Sequence, residues 1–270
     1  MPERLTLAIL ALFLSGCFSL PVPELTEEER ARMDEFLYEV DGDSNRALRS
    51  GDDTDPRVIF VHGSPGNAEG WSDYLVPPIE GAECIAIDRP GYGGSDHGLA
   101  ESLAEQAAAI VPLLEERQGR WPILVGHSLG GPIVARVAAD HPDRVGGIVI
   151  VAGSVSPELE RLRWYNYLAK GLAWVIPKDL RRSNQEMWDL REELEGLEQD
   201  LDRVVCPVWV VHGEQDALVP IGNVPFLEEA LPNAAELHVK RYPESGHFLI
   251  WSAAEKDELR ELISGALRRP

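Results

Sequence analysis

The stretch Gly126-His127-Ser128-Leu129-Gly130 decides the fold of this chain because of what lies on either side of it. The apolar run Trp121–Val125 before it is typical of a buried strand. Residues 131–140 after it carry apolar side chains at helical spacing. A serine between a strand and a helix, with glycines that permit the sharp turn, is a nucleophile elbow. The pattern predicts that Ser128 Oγ stands at the top of a sheet, where the helix dipole favours negative charge.

An activated serine needs a base, and the base needs an orienting acid. In this arrangement the acid and then the base follow the serine along the chain. Asp216 lies in the loop after the apolar strand Val208–Val211, and Glu214 in the same loop is the alternative acid. His247 lies in the loop after the alternating segment Glu236–Lys240. We expect acid, base and serine to meet at the carboxyl edge of a parallel sheet.

An early loop at the same edge has the pattern of an oxyanion hole. His62-Gly63-Ser64-Pro65-Gly66 follows the apolar strand Val58–Val61. The hole takes one backbone N–H from such a loop and one from the residue after the nucleophile. The candidates are the backbone amides of Ser64 and Leu129. Each donor of this kind typically contributes a factor of ~10²–10³ to the rate.

Four other polar residues near these motifs are expected to have structural roles. His62 and His212 each precede a glycine at a strand end and are expected to brace their loops. His127 flanks the serine and is expected to point away from the site. Asp88 is expected to organise its loop and not to act as a second catalytic acid.

Five motifs occur in an order that resembles the α/β-hydrolase superfamily. They are His62–Gly66, Asp88–Ser95, Gly126–Gly130, His212–Asp216 and Gly246-His247. The resemblance covers residues 36–268 and implies Ser128 as nucleophile, Asp216 as acid and His247 as base. Related dehalogenases and epoxide hydrolases carry an aspartate at the elbow, so the serine argues against both of those chemistries.

The predicted fold class is α/β: the α/β-hydrolase fold, a mostly parallel sheet with helices on both faces and a short helical cap. Strands alternate with helices from residue 58 onward, and residues 36–50 predict an antiparallel pair that turns at Asp41-Gly42. Helices are expected near 69–76 and at 102–117, 129–139 and 252–268. The predicted hydrolase domain is therefore 36–270.

The alternation breaks at about 154–204, where the resemblance implies a cap over the site. This segment is rich in aromatic residues. We expect most of them to pin the cap to the core; the alternative is a lid that contacts an acyl chain or aromatic group. The aromatic residues concerned are Trp164, Tyr165, Tyr167, Trp174 and Trp188.

The net charge of −21 results from 46 acidic and 25 basic residues. Such a field repels phosphate backbones and anionic lipid headgroups, so nucleic acid is not an expected partner. Acidic residues concentrate at Glu24–Asp55 and Glu186–Asp202, which we interpret as solvated faces or a tether. The sequence has no zinc-type spacing and no Walker loop, so no metal or cofactor is expected.

Residues 1–16 are predicted to be a lipoprotein-type signal peptide. The ten-residue apolar stretch Leu5–Leu14 suits a signal and is too short to span a bilayer. Leu14-Ser15-Gly16-Cys17 resembles a lipobox, which implies acylation of Cys17 and anchoring to a membrane. The alternative is an ordinary cleaved signal. The expected location is the cell envelope, lipid-anchored, at the outer membrane or periplasmic face in a Gram-negative host, with residues 17–35 as an acidic tether.

Two further cysteines, Cys84 and Cys206, are expected to be free and buried. A disulfide between them would need adjacent strands, and the usual strand order of the α/β-hydrolase fold does not provide that.

The predicted activity is hydrolysis of a small carbonyl substrate through an acyl-enzyme, with a carboxylic ester as the default. Carbon–carbon, lactone and amide bonds are alternatives on the same triad, as is acyl transfer. A non-catalytic binding protein is a further alternative. The presence of every triad member argues against it.

Overall fold

Eight strands form one sheet in the computed structural model, which describes residues 25–95, 98 and 102–269. The predicted signal peptide and Cys17 lie outside the described residues. The strands are β1 (Asp34–Val40), β2 (Asp43–Ser50), β3 (Arg57–Val61), β4 (Glu83–Ile87), β5 (Ile123–His127), β6 (Gly147–Val151), β7 (Val208–Gly213) and β8 (Leu237–Tyr242).

The order of the strands across the sheet is β1-β2-β4-β3-β5-β6-β7-β8. The pairs β1–β2 and β2–β4 are antiparallel, and the other pairs are parallel. Asp41 and Gly42 join β1 to β2 with φ angles of 50° and 92°. Two successive positive φ angles match the twist of a two-residue hairpin, which explains the Asp-Gly pair. The predicted antiparallel pair and mostly parallel sheet are both confirmed.

Helices and short 3₁₀ segments connect the strands. The α-helices are α1 (Glu27–Arg30), α2 (Ser72–Leu75), α3 (Leu103–Ala108), α4 (Gly130–Asp140), α5 (Trp164–Gly171), α6 (Lys178–Glu198), α7 (Asn223–Ala230) and α8 (Lys256–Leu267). Between α1 and α8, the described residues contain no helix that is long and apolar enough to cross a bilayer.

Both faces of the sheet are buried under helices. In β3, Ile59 and Val61 join one hydrophobic cluster, while Val58 and Phe60 join the other. Alternate residues of a strand point to opposite faces, so a strand covered on both sides reads as an unbroken apolar run. This is why Val58–Val61 could be recognised as a central strand.

The helix predicted at 102–117 is much shorter in the structure. It ends at Ala108, and a 3₁₀ turn follows at Val111–Leu113. Pro112 has no N–H to bond the carbonyl of Ala108, and its ring would clash there, so the α-helix cannot continue.

Asp88 organises the loop after β4, as predicted. Its side chain is fully buried and accepts hydrogen bonds from the backbone N–H groups of Ala68 (2.7 Å) and Gly94 (2.8 Å). Arg46 Nη1 lies 2.7 Å from Asp88 Oδ2. A Cβ on Gly93 would meet the Asp88 carboxylate at 2.3 Å, so only glycine lets the loop wrap this closely.

The cysteine prediction is confirmed for the described residues. Cys84 and Cys206 are free and buried. Strands β3, β5 and β6 separate β4 from β7, which keeps the two thiols apart.

Candidate active site

Ser128 occupies the turn between β5 and α4 with a φ of 55°. A Cβ on Gly126 would lie 2.2 Å from the Gly130 carbonyl oxygen, and one on Gly130 would lie 2.3 Å from the Val61 carbonyl oxygen. No real Cβ tolerates either distance, so both flanking glycines are required. The strained serine conformation is held by a 2.9 Å hydrogen bond from its N–H to Val151 O. A serine held this way at a helix N-terminus suits a nucleophile.

The structure brings Asp216 and His247 together. His247 Nδ1 lies 2.7 Å from Asp216 Oδ2, while Asp216 Oδ1 accepts 2.8 Å hydrogen bonds from the N–H groups of Leu218 and Val219. Glu214, the alternative acid, has an exposed side chain. His247 and Ser128 line the same cavity. A histidine whose Nδ1 is held by a carboxylate presents Nε2 as the atom that can take a proton.

The Asp216 carboxyl is set up to stay ionised. Burial raises its pKa, but the hydrogen bonds from His247, Val219 and Leu218 outweigh burial and leave the pKa below the ordinary 3.8. An ionised carboxylate in this position can hold the His247 tautomer and stabilise a positive charge on the ring.

The expectation that His127 points away from the site is wrong. Its ring centroid is 4.8 Å from that of His247, and His127 Nε2 lies 3.0 Å from His247 O. His127 therefore contacts the loop that carries His247. Reasoning from the elbow motif alone missed this contact because it spans 120 positions of sequence.

His62 and His212 brace their loops, as expected. His62 donates from Nδ1 to Gly63 O (2.7 Å), and its Nε2 accepts from the Arg89 backbone N–H (3.1 Å). His212 Nε2 lies 3.1 Å from Val219 O.

The lowered pKa values of His62, His127 and His212 predict that the protein loses stability in acid. Burial lowers the pKa of His62 and His212, and it lowers that of His127 to about 3. In the unfolded chain each ring takes up a proton near its ordinary 6.5. The unfolded state therefore binds more protons below that pH, so stability present above pH 6.5 is lost as the pH falls.

We expect the free energy of unfolding to fall by ~1.4 kcal/mol per pH unit for each histidine that stays neutral. Urea unfolding at pH 7, 6, 5 and 4 measures this slope. His127→Gln removes one of the three rings and should flatten it. A midpoint that does not change between pH 7 and 5 would contradict the expectation.

The early loop approaches Ser128 closely. A Cβ on Gly63 would lie 2.8 Å from Ser128 Cβ, so glycine is needed for this approach. Ser64 and Leu129, whose amides are the oxyanion-hole candidates, both line the cavity beside Ser128.

A buried ion pair fastens the cap to this loop. Arg89 Nη1 lies 2.7 Å from Glu186 Oε1, and the two side chains are 1% and 6% exposed. Arg89 Nη2 also donates to Gly63 O at 3.0 Å. Tyr92 OH donates to Glu186 Oε2 at 2.7 Å, and Ser64 Oγ donates to the same carboxylate. The interpretation of Glu186–Asp202 as a solvated face is therefore wrong at Glu186.

A cavity of about 1180 Å³ opens beside Ser128 and His247 under the cap. Its walls are mostly apolar and come from both the cap and the core. They include Leu168, Leu172, Leu180, Met187, Leu190, Val219, Phe248, Ile250 and Trp251. Across the described residues, no three His, Cys, Asp or Glu side chains are grouped to hold a metal ion.

The apolar walls are interrupted by a few polar groups. Ser154 Oγ donates to Glu160 Oε2 at 2.8 Å, and burial raises the pKa of Glu160. This pair lies in the cavity wall.

Comparison with known proteins identifies the family and the fold. A family profile described as alpha/beta hydrolase fold matches residues 56–187. An esterase of Mycobacterium tuberculosis is 39% identical over 259 residues, which covers 80% of this chain and 83% of the esterase. An epoxide hydrolase structure from Vigna radiata has a TM-score of 0.68 at 15% identity, covering 89% of this chain and 98% of that one.

One relative matches over a shorter region. The dihydrolipoyllysine-residue acetyltransferase component of the acetoin cleaving system of Cupriavidus necator is 32% identical over 138 residues. The match covers 51% of this chain and only 36% of that protein. The activity of that protein is therefore not inferred for this chain. The esterase relative, the family profile and the shared fold together place this chain in the α/β-hydrolase family.

Proposed function

We propose that this chain is a serine hydrolase that cleaves carboxylic esters through an acyl-enzyme. The observation that carries the proposal is the 2.7 Å contact between His247 Nδ1 and Asp216 Oδ2, in a cavity that Ser128 also lines. The esterase relative supports an ester as the substrate.

The proposed mechanism uses the triad in two steps. His247 Nε2 takes the Ser128 proton as Oγ attacks the ester carbonyl carbon. The backbone N–H groups of Leu129 and Ser64 donate to the oxyanion that forms. His247 then gives the proton to the leaving alcohol, and an acyl-enzyme remains. Water, deprotonated by His247, attacks the acyl carbon and releases the carboxylic acid and free Ser128.

The cavity supports an acyl group of substantial size. Its volume of about 1180 Å³ exceeds the ~300–1,000 Å³ of ordinary small-molecule pockets. Each methylene that enters an apolar wall gains ~0.8 kcal/mol, which is up to about fourfold in kcat/KM.

We therefore expect kcat/KM for p-nitrophenyl esters to rise with acyl length from acetyl to at least octanoyl. Steady-state hydrolysis across an acetyl-to-palmitoyl series measures this trend. A maximum at acetyl would show that the acyl chain does not enter the cavity.

The series also tests the bond type. A folded protein that turns over none of these esters would refute ester hydrolysis and favour lactone, amide or carbon–carbon cleavage. Transfer of the acyl group to an added alcohol, faster than to water, would instead identify an acyltransferase.

The location remains a proposal as well. We propose that Cys17 is lipid-modified and anchors the chain in the cell envelope, based on the Leu14–Cys17 motif. Metabolic labelling with an alkyne fatty acid should tag the wild-type chain and leave Cys17→Ser untagged.

A further inference from the structure

The cap presents large apolar side chains to solvent. Trp174 is 82% exposed, Tyr167 is 58% exposed and Trp164 is 53% exposed. The expectation that the cap aromatics pin it to the core is therefore wrong for these three. Within the cap, the Tyr167 ring packs edge-on against Trp188 with 5.0 Å between the ring centroids, but most of the Trp174 side chain remains in solvent.

The same segment has a charge opposite to that of the rest of the chain. Residues 161–182 contain six Lys or Arg residues and one acidic residue, Asp179, whereas the whole chain carries −21. Arg161, Lys170, Lys178 and Arg181 are exposed. We call residues 161–182 the cap surface.

The mouth of the cavity opens among these residues. Leu168 and Val175 belong to the cap surface, are 43% and 54% exposed, and also line the cavity. Leu218, two residues after Asp216, is 43% exposed and lines the cavity from the core. Side chains that face both solvent and cavity mark the entrance; these three are apolar, and the exposed Arg161 and Gln215 also line the cavity.

We propose that the cap surface docks on an anionic lipid bilayer and holds the cavity mouth against it. Trp and Tyr side chains concentrate at the headgroup level of membranes because one part is apolar and another polar. Lys and Arg on the same surface are attracted to anionic headgroups by ~1 kcal/mol each. Trp174, Tyr167 and Trp164 supply the first feature, and the four exposed cations supply the second.

The charge of the cap surface favours an anionic bilayer as its partner. The strongly acidic remainder of the chain is repelled by an anionic bilayer, whereas the cap surface is attracted to it. Docking would turn the mouth, and with it Ser128, toward the lipid. The docking depends neither on the chemistry of Ser128 nor on a lipid at Cys17.

The test uses the full chain with Cys17→Ser, so that no acyl anchor contributes. Trp174→Cys places a single accessible thiol on the cap surface, because Cys84 and Cys206 are buried. An environment-sensitive NBD label at position 174 then reports contact with lipid at that position. The readout is local, so vesicle binding by residues 1–16 alone would not produce it. Glu116→Cys is the matched control, since Glu116 is exposed and the neighbouring Glu115 pairs with Arg57 at the start of β3, outside the cap.

With vesicles of phosphatidylglycerol and phosphatidylcholine, we expect the label at 174 to shift to the blue and to be quenched by doxyl lipid. The label at 116 should not respond. Lys170→Glu combined with Arg181→Glu should weaken the response of the label at 174 at least about tenfold, as should high salt.

Two results would overturn the proposal. One is a label at 174 that stays in water although the protein is bound to the vesicles. A label that responds equally to vesicles of pure phosphatidylcholine would count against the proposal in the same way. The other is a blue shift that appears without vesicles and grows with protein concentration, which would identify a second copy of the chain as the occupant. Ester hydrolysis in detergent-free buffer is measured in parallel, so a failure of docking is distinguishable from a failure of the proposed chemistry.

Discussion

Ser128→Ala is expected to lower kcat for a p-nitrophenyl ester by about 10⁶ and to leave the fold intact. The size of this decrease in kcat follows because the residues of a triad act as a unit. Removal of the nucleophile alone therefore removes nearly all of the contribution of the triad to catalysis. The remaining rate would come from the oxyanion hole and from binding.

The structure explains why this variant should fold. The φ of 55° at position 128 strains alanine about as much as serine, and the backbone bond from this residue to Val151 O does not involve the side chain. Equal melting temperatures of variant and wild type would establish that the loss is chemical.

The combined effect of two substitutions gives a second test of the mechanism. If Ser128 and His247 act in one step, His247→Ala in the Ser128→Ala background should cost almost nothing more. A Ser128→Ala protein of equal purity that retains more than about one hundredth of the wild-type kcat would refute the mechanism. So would a double variant that loses activity in two multiplicative steps.

The parts that sequence predicts well here are those set by local sterics. Gly126 and Gly130 are required by backbone atoms at 2.2 and 2.3 Å, and Asp41-Gly42 by two positive φ angles. Such constraints leave a signature within a few residues. The buried strands are also readable, because burial on both faces produces continuous apolar runs such as Val58–Val61.

The parts that sequence did not predict depend on pairings between distant segments. Glu186 lies in an acidic run and looks like its exposed neighbours, yet it pairs with Arg89 across 97 positions. The cap aromatics have helical spacing that fits burial and exposure equally well. In both cases the local pattern is ambiguous, and only the packing of the cap on the core decides which side chains are buried.

Glu186→Ala is expected to lower the free energy of unfolding by about 3–5 kcal/mol. The reason is that Arg89, 1% exposed, would keep a buried guanidinium without its carboxylate. Ser64 Oγ and Tyr92 OH would lose the same partner. Urea unfolding measures the change. Glu192→Ala is the matched control, because Glu192 is an exposed acid on the same helix and should cost little.

The same change should lower kcat, since Arg89 donates to Gly63 O and Glu186 accepts from Ser64 Oγ in the loop beside Ser128. Replacing both partners, Arg89→Met with Glu186→Leu, separates this effect from stability. An apolar pair of similar volume leaves no unpaired charge, so most of the stability should return. The kcat should stay low, because the loop that carries the Ser64 amide has lost its anchors. Two results would show that this ion pair does not position the loop. One is a free energy of unfolding of Glu186→Ala that lies within about 1 kcal/mol of the wild-type value. The other is full recovery of kcat in the double variant.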